Sequence, residues 1–231
     1  MTRFRHLILT RFNVKIPEYD TPGPEWLEHR LGLFERFCLP SLQNQSNLDF
    51  DWLLFCDKDS SQNFRARIQK YSKWSNVRAV FVEGYFTQAT VQLAVADFAK
   101  GFTHLITTRL DNDDAVCRNF VEIVQNHFSG QDFEFLNFTK GYIWHNGKIY
   151  AGEHQTNSFI SLVEKTEEIS TVFCGNHMRL SRLGPIRQIE QPAGWLQVVH
   201  SRNLVNAVWG RPVATEIVYG QFGIPFKNLT L

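Results

Sequence analysis

The sequence predicts an α/β fold in which a central, mostly parallel sheet is covered by helices on both faces. Three observations carry that prediction. Compact apolar runs alternate along the chain with stretches whose apolar residues recur at helical spacing, the order of elements found in such folds. The runs are apolar throughout, without alternating polar residues, as strands buried on both faces must be. The length, 231 residues, suits one domain at the usual ~100–200 residues per domain.

The elements follow in order. Residues 6–14 form a first β-rich run, ended by the turn cluster YDTPGPEW. Pro24 suits the first position of a helix, on which Leu27, Leu31, Phe34 and Cys38 share a face until Pro40 stops the pattern. FDWLLFCD (50–57) and VRAVFVE (77–83) read as the second and third strands. A helix over 88–100 presents Val91, Ala94, Val95, Phe98 and Ala99. HLITTRL is a fourth strand, and the spacing of Val116, Phe120, Val124 and Phe128 predicts a helix beginning near Ala115. In the C-terminal half, FEFLNFTKGYIWHNGKIYAG predicts a β-hairpin turning at Asn146-Gly147, and FISLVEKT (159–166) adds a strand. The remainder of the C-terminal third has little periodicity. The tail over 213–231, with Phe222, Phe226 and Leu231, suits three roles: covering the core, pairing with a second subunit, or touching a membrane peripherally.

Composition excludes several function classes. Basic residues number 24 and acidic residues 23, so no long-range positive field draws the chain to nucleic acid. Apolar residues make up 43% and aromatics 14%, with 20 phenylalanines, which excludes disorder. The apolar stretch before Thr10 falls far short of the ~7–15 residues of a signal peptide. No apolar run approaches the ~20 residues that span a bilayer. Cys38, Cys56, Cys117 and Cys174 are isolated from one another, so neither a zinc knuckle nor a disulfide framework is expected, and a reducing, cytoplasmic location follows.

The chemistry concentrates in LDNDDAV. Asp111, Asp113 and Asp114 crowd together where a buried strand ends, and carboxylates that close repel unless a cation, backbone donors or water meet them. Asp111 and Asp113 are two apart, so in an extended segment both face the same side. Two carboxylates with open positions suit Mg²⁺ or Mn²⁺, completed by water and substrate phosphates. The plainer reading is a polar loop in which Asp113 or Asp114 caps the next helix. An EF-hand does not fit, because Ala115 and Val116 occupy positions that need a ligand and a glycine. A phosphatase built on Asp57-Lys58-Asp59 would have to draw two further signatures from the single run LITTRLDNDD, which leaves it a secondary alternative. Ligands in such sheets bind beyond the carboxyl ends of the strands, where Asp57 and residues 111–114 are expected.

HLILTRFN, LPSLQNQ, FDWLLFCD, THLITTRLDNDDAV and PAGWLQVVHSRN, in that order, resemble the bacterial putative rhamnosyltransferase family, which belongs with the GT-A glycosyltransferases. The likeness runs over most of the chain, from about His6 to Asn203. It implies a single GT-A, Rossmann-like domain over 1–231, with a nucleotide-binding half (1–116) and an acceptor-side half (117–231). It also implies Mn²⁺ or Mg²⁺ held at the Asp-x-Asp signature, a nucleotide-sugar donor and a glycan or glycoconjugate acceptor. By similarity, Asp113 is the leading metal ligand. Asp111 contacts the ribose or the metal, His200 completes the metal site, and Asp114 supports or caps. Asp57 matches the position that holds the nucleobase, against the plainer reading of a solvated strand end. Arg11 and Arg109 end strands where a guanidinium can grip a diphosphate bidentately, or they are ion-pair partners of the acids. Inverting transfer needs a general base for the acceptor hydroxyl, for which Glu190 and His177 are the candidates. Trp195, Trp144 and Trp209 are candidates to stack on sugars, with core packing the alternative. The leading expectation is a metal-dependent, inverting transferase using a UDP- or dTDP-sugar, with rhamnose the sugar that the family name carries. Its rival is a non-catalytic GT-A-like module.

Overall fold

The structure, a computed structural model, describes residues 3–17, 23–203 and 207–225. Turn residues 19–22, Phe226 and Leu231 therefore lie outside the described residues. The four predicted N-terminal strands are β1 (Phe4–Arg11), β2 (Asp51–Asp57), β3 (Val77–Val82) and β4 (His104–Arg109). They pair in parallel in the spatial order β3-β2-β1-β4. All of β2 is buried, as is the centre of β1, in keeping with their unbroken apolar character.

The helices agree with the sequence in part. In α1 (Pro24–Leu33) the proline occupies the first turn. The pattern does not stop at Pro40: a π-helical turn (Phe34–Cys38) leads into α2 (Leu39–Gln43). Leu39 N–H donates to Phe34 O, five residues back, so the turn is already widened where a proline with no N–H must follow. Helix α3 (Gln62–Tyr71) was not anticipated, because only Phe64 and Ile68 are buried along it. Its start is set by Ser61, whose hydroxyl accepts from Phe64 N at 3.3 Å. Helix α4 (Gln88–Ala99) lies where expected, capped by Thr87.

The predicted helix near Ala115 is a correction. Ala115–Val116 is a two-residue strand, β5, antiparallel to β11 (Trp195–Val198), and helix α5 is confined to Phe120–Asn126. Pairing with β11 supplies backbone partners that a helical turn would otherwise have to provide, so Val116 joins the core from a strand.

Beyond α5 come β6 (Phe133–Phe138), β7 (Lys140–His145), β8 (Lys148–Glu153), β9 (Ser161–Lys165), β10 (Ile186–Ile189) and β12 (Arg211–Val213). With the earlier strands they build two sheets, the expected central one and a smaller one that contains the expected hairpin. The larger runs β10-β6-β9-β4-β1-β2-β3 and the smaller β12-β8-β7-β11-β5. In the larger, only β9 is antiparallel to its neighbours. The hairpin β7–β8 turns at Asn146 and Gly147, with φ of 48° and 76°, the backbone that an Asn-Gly turn adopts. Within the tail, α6 (Glu216–Phe222) buries Val218 and Phe222, and Phe222 lies 6.0 Å from Tyr142 ring to ring. Of the three roles weighed for this segment, covering the core is the one its described part fills. Among the described residues no helix is long and apolar enough to cross a membrane.

The doubly wound order places the carboxyl ends of β1, β2 and β4 at one edge. The strand order reverses at the β1–β4 pair, the switch point beside which sheets of this kind bind ligands.

Candidate active site

The loop after β4 is stapled to the end of β1. Leu110 N–H donates to Leu9 O at 3.2 Å, and Asn112 Nδ2 donates to Phe12 O at 3.0 Å. Asn112, Asp113 and Asp114 are buried, and the Asp111 side chain is only 26% exposed, so water alone does not meet the crowded acids. Each is met differently.

Asp111 faces the larger sheet. Arg109 grips both of its oxygens, Nη2 to Oδ2 at 2.8 Å and Nε to Oδ1 at 3.3 Å, and Arg11 Nη2 stands 3.8 Å from Oδ1. Burial opposes ionisation of Asp111, but the charges of Arg109, Arg11 and Arg30 outweigh it and hold the carboxyl well below the usual carboxylate range. Both guanidiniums also lie near the Phe173 ring, at 5.4 Å for Arg11 and 5.9 Å for Arg109.

Asp113 faces α1 and the end of β11. Its Oδ2 accepts from Arg30 Nη1 and from Asn203 Nδ2 at 3.2 Å, and lies 3.0 Å from His200 Nε2. His200 is held from behind: its Nδ1 accepts from Arg202 N at 3.2 Å and faces His29 Nε2 at 3.2 Å. Burial, then the charges of Arg30 and Arg202, push His200 down to about 4, so its imidazole is neutral at pH 7.

Asp114 does not cap helix α5, whose N-cap position is Asn119. Its Oδ1 accepts from Val198 N at 2.8 Å and so pins β11 to the loop. Burial and the neighbouring Asp111 charge push its carboxyl up to about 8. At neutral pH Asp114 is therefore largely protonated, which removes one charge from the crowd.

The remaining candidates spread around this centre. His177 opens a short 3₁₀ turn (His177–Arg182) that Asn176 caps. Its Nδ1 is 3.5 Å from Arg109 Nη1, and burial together with Arg109 lowers it to about 4. Asp57 is buried two strands away, paired with Lys15 at 3.5 Å and accepting from Asp59 N at 3.0 Å. It organises the β2–α3 turn and does not touch the acid loop. Glu190 is exposed at the end of β10, three strands from β4. At ~4.8 Å per strand that is roughly 14 Å, so it is not gathered with the acids. Trp195 and Trp144 are buried and belong to the core, whereas Trp209 is 37% exposed.

His29, Arg30 and Asn203 were missed. Arg30 lies on α1 among ordinary polar positions, and only the packing of that helix against the loop brings it to Asp113. Asn203 stood in the HSRN stretch, and its role follows from the loop that folds its amide onto His200 N–H and Asp113. Beside His200 a cavity of about 460 Å³ opens, lined by His29, Arg36, Trp144, His145 and Ser201 among others.

A divalent cation fits part of this donor set. Two neighbouring ligands, each ~2.1 Å from an octahedral ion, stand about 3 Å apart, which is the separation of Asp113 Oδ2 and His200 Nε2. Asp111 stands apart from that pair, with both of its oxygens held by Arg109. Among the described residues no group of three or more His, Cys, Asp or Glu side chains forms a ready metal cage. Water and a phosphate would have to complete the shell.

The model of the family described as "putative rhamnosyl transferase" matches residues 2–212. No curated protein matches the chain. Among solved structures, S. aureus TarS 1-349 in complex with UDP is similar at TM-score 0.53 and 14% identity, over 86% of this chain and 61% of that one. S. aureus TarS is similar at TM-score 0.51 and 13% identity, over 86% of this chain and 37% of that one. The chain thus spans about three fifths of the first and under two fifths of the second. The matched span, the doubly wound sheet and the shared fold lead to one conclusion: the chain belongs to the putative rhamnosyl transferase family of glycosyltransferases, with a GT-A-type fold.

Proposed function

We propose that the protein transfers a sugar, with rhamnose the first candidate, from a UDP- or dTDP-sugar to a glycan or glycoconjugate acceptor. The reaction is metal-dependent and inverting, and it takes place in the cytoplasm. The observation that carries this reading is the pairing of Asp113 and His200 at 3.0 Å, beside two guanidiniums at the carboxyl ends of β1 and β4. The UDP carried by the similar TarS structure is the reason to begin with uridine nucleotides.

Asp113 Oδ2 and His200 Nε2 would hold Mn²⁺ or Mg²⁺. The contacts at Nδ1, from Arg202 N and His29 Nε2 at 3.2 Å each, keep the ring oriented with Nε2 toward Asp113. When bound, the ion supplies Lewis-acid stabilisation of the diphosphate leaving group. Arg109 and Arg11 add fixed positive charge beside the same group, worth most in a site with little water. Asp111 sets their positions by holding Arg109 at two points. His177, neutral at pH 7 and beside Arg109, is the better-placed base for the acceptor hydroxyl. Glu190 would have to act from another part of the carboxyl edge. The cavity beside His200 offers room for a sugar ring.

Calorimetry with UDP and dTDP, each with Mn²⁺ and with chelator, tests the reading. Nucleotide binding should require the metal and weaken by about a hundredfold or more in Asp113→Ala, the order of loss seen when a charged, buried binding partner is removed. Binding of neither nucleotide under any condition would refute it and leave the non-catalytic module as the better account.

A further inference from the structure

The guanidinium of Arg30 stands where a cation bridging Asp113 and His200 would stand. Its Nη1 donates to Asp113 Oδ2 and lies 3.2 Å from His200 Nε2, the same two atoms that suit a divalent ion. We propose that Arg30 is the cation Asp113 keeps while no metal is bound, and that Arg30 and the metal compete for that one carboxylate oxygen. This inference rests on the metal reading given above and adds to it a residue that gates metal entry.

Three observations support competition over a purely structural ion pair. Asp113 is 2% exposed, and a lone carboxylate at that depth is strongly destabilising, so the site needs a positive charge whether or not metal is present. Arg30 provides one, but its own bonding is incomplete. Its Nε is buried without a hydrogen-bond partner, which is unfavourable for a desolvated donor, and Trp26 offers a ring face at 4.9 Å from Cζ in place of a second acceptor. A guanidinium held by one strong bond, with an idle donor beside it, is arranged to leave when a stronger cation arrives. Finally, Arg11 already faces the acid pair from the other side, with Nη2 3.8 Å from Asp111 Oδ1. Adding a divalent ion to the same oxygen without moving Arg30 would crowd four cations, Arg11, Arg109, Arg30 and the ion, around Asp111 and Asp113. A diphosphate would supply the displaced guanidinium with new acceptors, so metal and nucleotide should bind cooperatively, and by linkage each should strengthen the other equally.

The test is direct Mn²⁺ binding, read from the electron paramagnetic resonance of free Mn²⁺ and repeated with saturating UDP, on the wild type, Arg30→Gln and Arg30→Lys. If the state with Arg30 displaced is populated at ~10%, apparent metal affinity is weakened about tenfold. Without nucleotide, Arg30→Gln should therefore bind Mn²⁺ about tenfold more tightly than the wild type. The strengthening of Mn²⁺ by UDP should shrink by a similar factor, while Arg30→Lys, which keeps a competing charge, should stay near the wild type. In chelator, Arg30→Gln should melt at a lower temperature than the wild type, and Mn²⁺ should restore it. A folded Arg30→Gln with unchanged or weaker Mn²⁺ affinity overturns the proposal, as does a variant that Mn²⁺ cannot rescue while Arg30→Lys folds and binds normally. Absence of Mn²⁺ binding by all three proteins, with and without UDP, removes the metal reading itself and the proposal with it.

Discussion

The seven-stranded sheet meets the acidic loop through cations that end parallel strands, Arg11 on β1 and Arg109 on β4. The five-stranded sheet meets the same loop through a backbone N–H, that of Val198, and through His200 just beyond β11. The first contact follows from a local register, in which Leu9 pairs with Arg109 across two adjacent parallel strands. The second depends on close packing between residues far apart in sequence. Trp195 stacks on Phe159 at 5.6 Å with rings 15° apart, donates from Nε1 to Phe138 O at 2.9 Å, and lies on Gly141, where a Cβ would overlap its ring. The loop is thus held rigidly on its Asp111 side. On the Asp113 side it is held by an assembly that one side chain can disturb.

Trp195→Ala should give the largest effect on this contrast. Removing a fully buried tryptophan costs about 3–5 kcal/mol, and β11 should loosen from β7 and β5. Chemical denaturation would measure the loss. The nucleotide site should lose its metal-dependent component more severely than its Arg109 side, and an unchanged unfolding midpoint would mean that β11 is held by something other than this packing.

A smaller effect is expected at the pin between loop and β11. Asp114→Ala strands the Val198 N–H and should destabilise by about 1–3 kcal/mol. Asp114→Asn keeps a neutral acceptor in place of a carboxyl that is already largely protonated at pH 7, and should cost clearly less. Equal losses in the two variants would show that Asp114 acts through its charge.

The subtlest expected difference lies inside the larger sheet. Glu164 on β9 is buried and accepts from Ser170 N at 2.6 Å and Thr171 N at 2.9 Å. Burial nevertheless outweighs these bonds and pushes its carboxyl up to about 7. A carboxyl raised on folding favours the native state below its ordinary pKa and loses that advantage as pH climbs to the folded value. Between about pH 4.5 and 7 Glu164 therefore contributes a downward slope of stability, at most about 1.4 kcal/mol per pH unit. Glu164→Gln should remove that slope, so the stability difference between variant and wild type should drift in the variant's favour across this window. A difference that is flat with pH would place the Glu164 pKa near its ordinary value.

Much of the fold could be read from local pattern. The parallel strands, α1, α4 and the Asn-Gly hairpin each announce themselves through a short stretch whose apolar period or turn chemistry has one good solution. Helix α3 was illegible because two apolar anchors in a charged stretch give almost no periodic signal. The false helix at Ala115 arose from a four-residue spacing that a strand and a following helix happen to share.

The sequence alone determined which residues must be reconciled at the site: three acids at the end of a buried strand, two arginines ending neighbouring strands, and a late histidine. Only the tertiary structure decided how the acids divide. Asp111 goes to Arg109, Asp114 takes the Val198 N–H and keeps its proton, and Asp113 is left to Arg30, His200 and Asn203. The physical reason is that a buried charge is assigned by whatever partner packing delivers within about 3 Å. The partners of Asp113 come from residues 30, 200 and 203, which chain spacing does not bring near it and which only the docking of α1 and β11 onto one loop brings together.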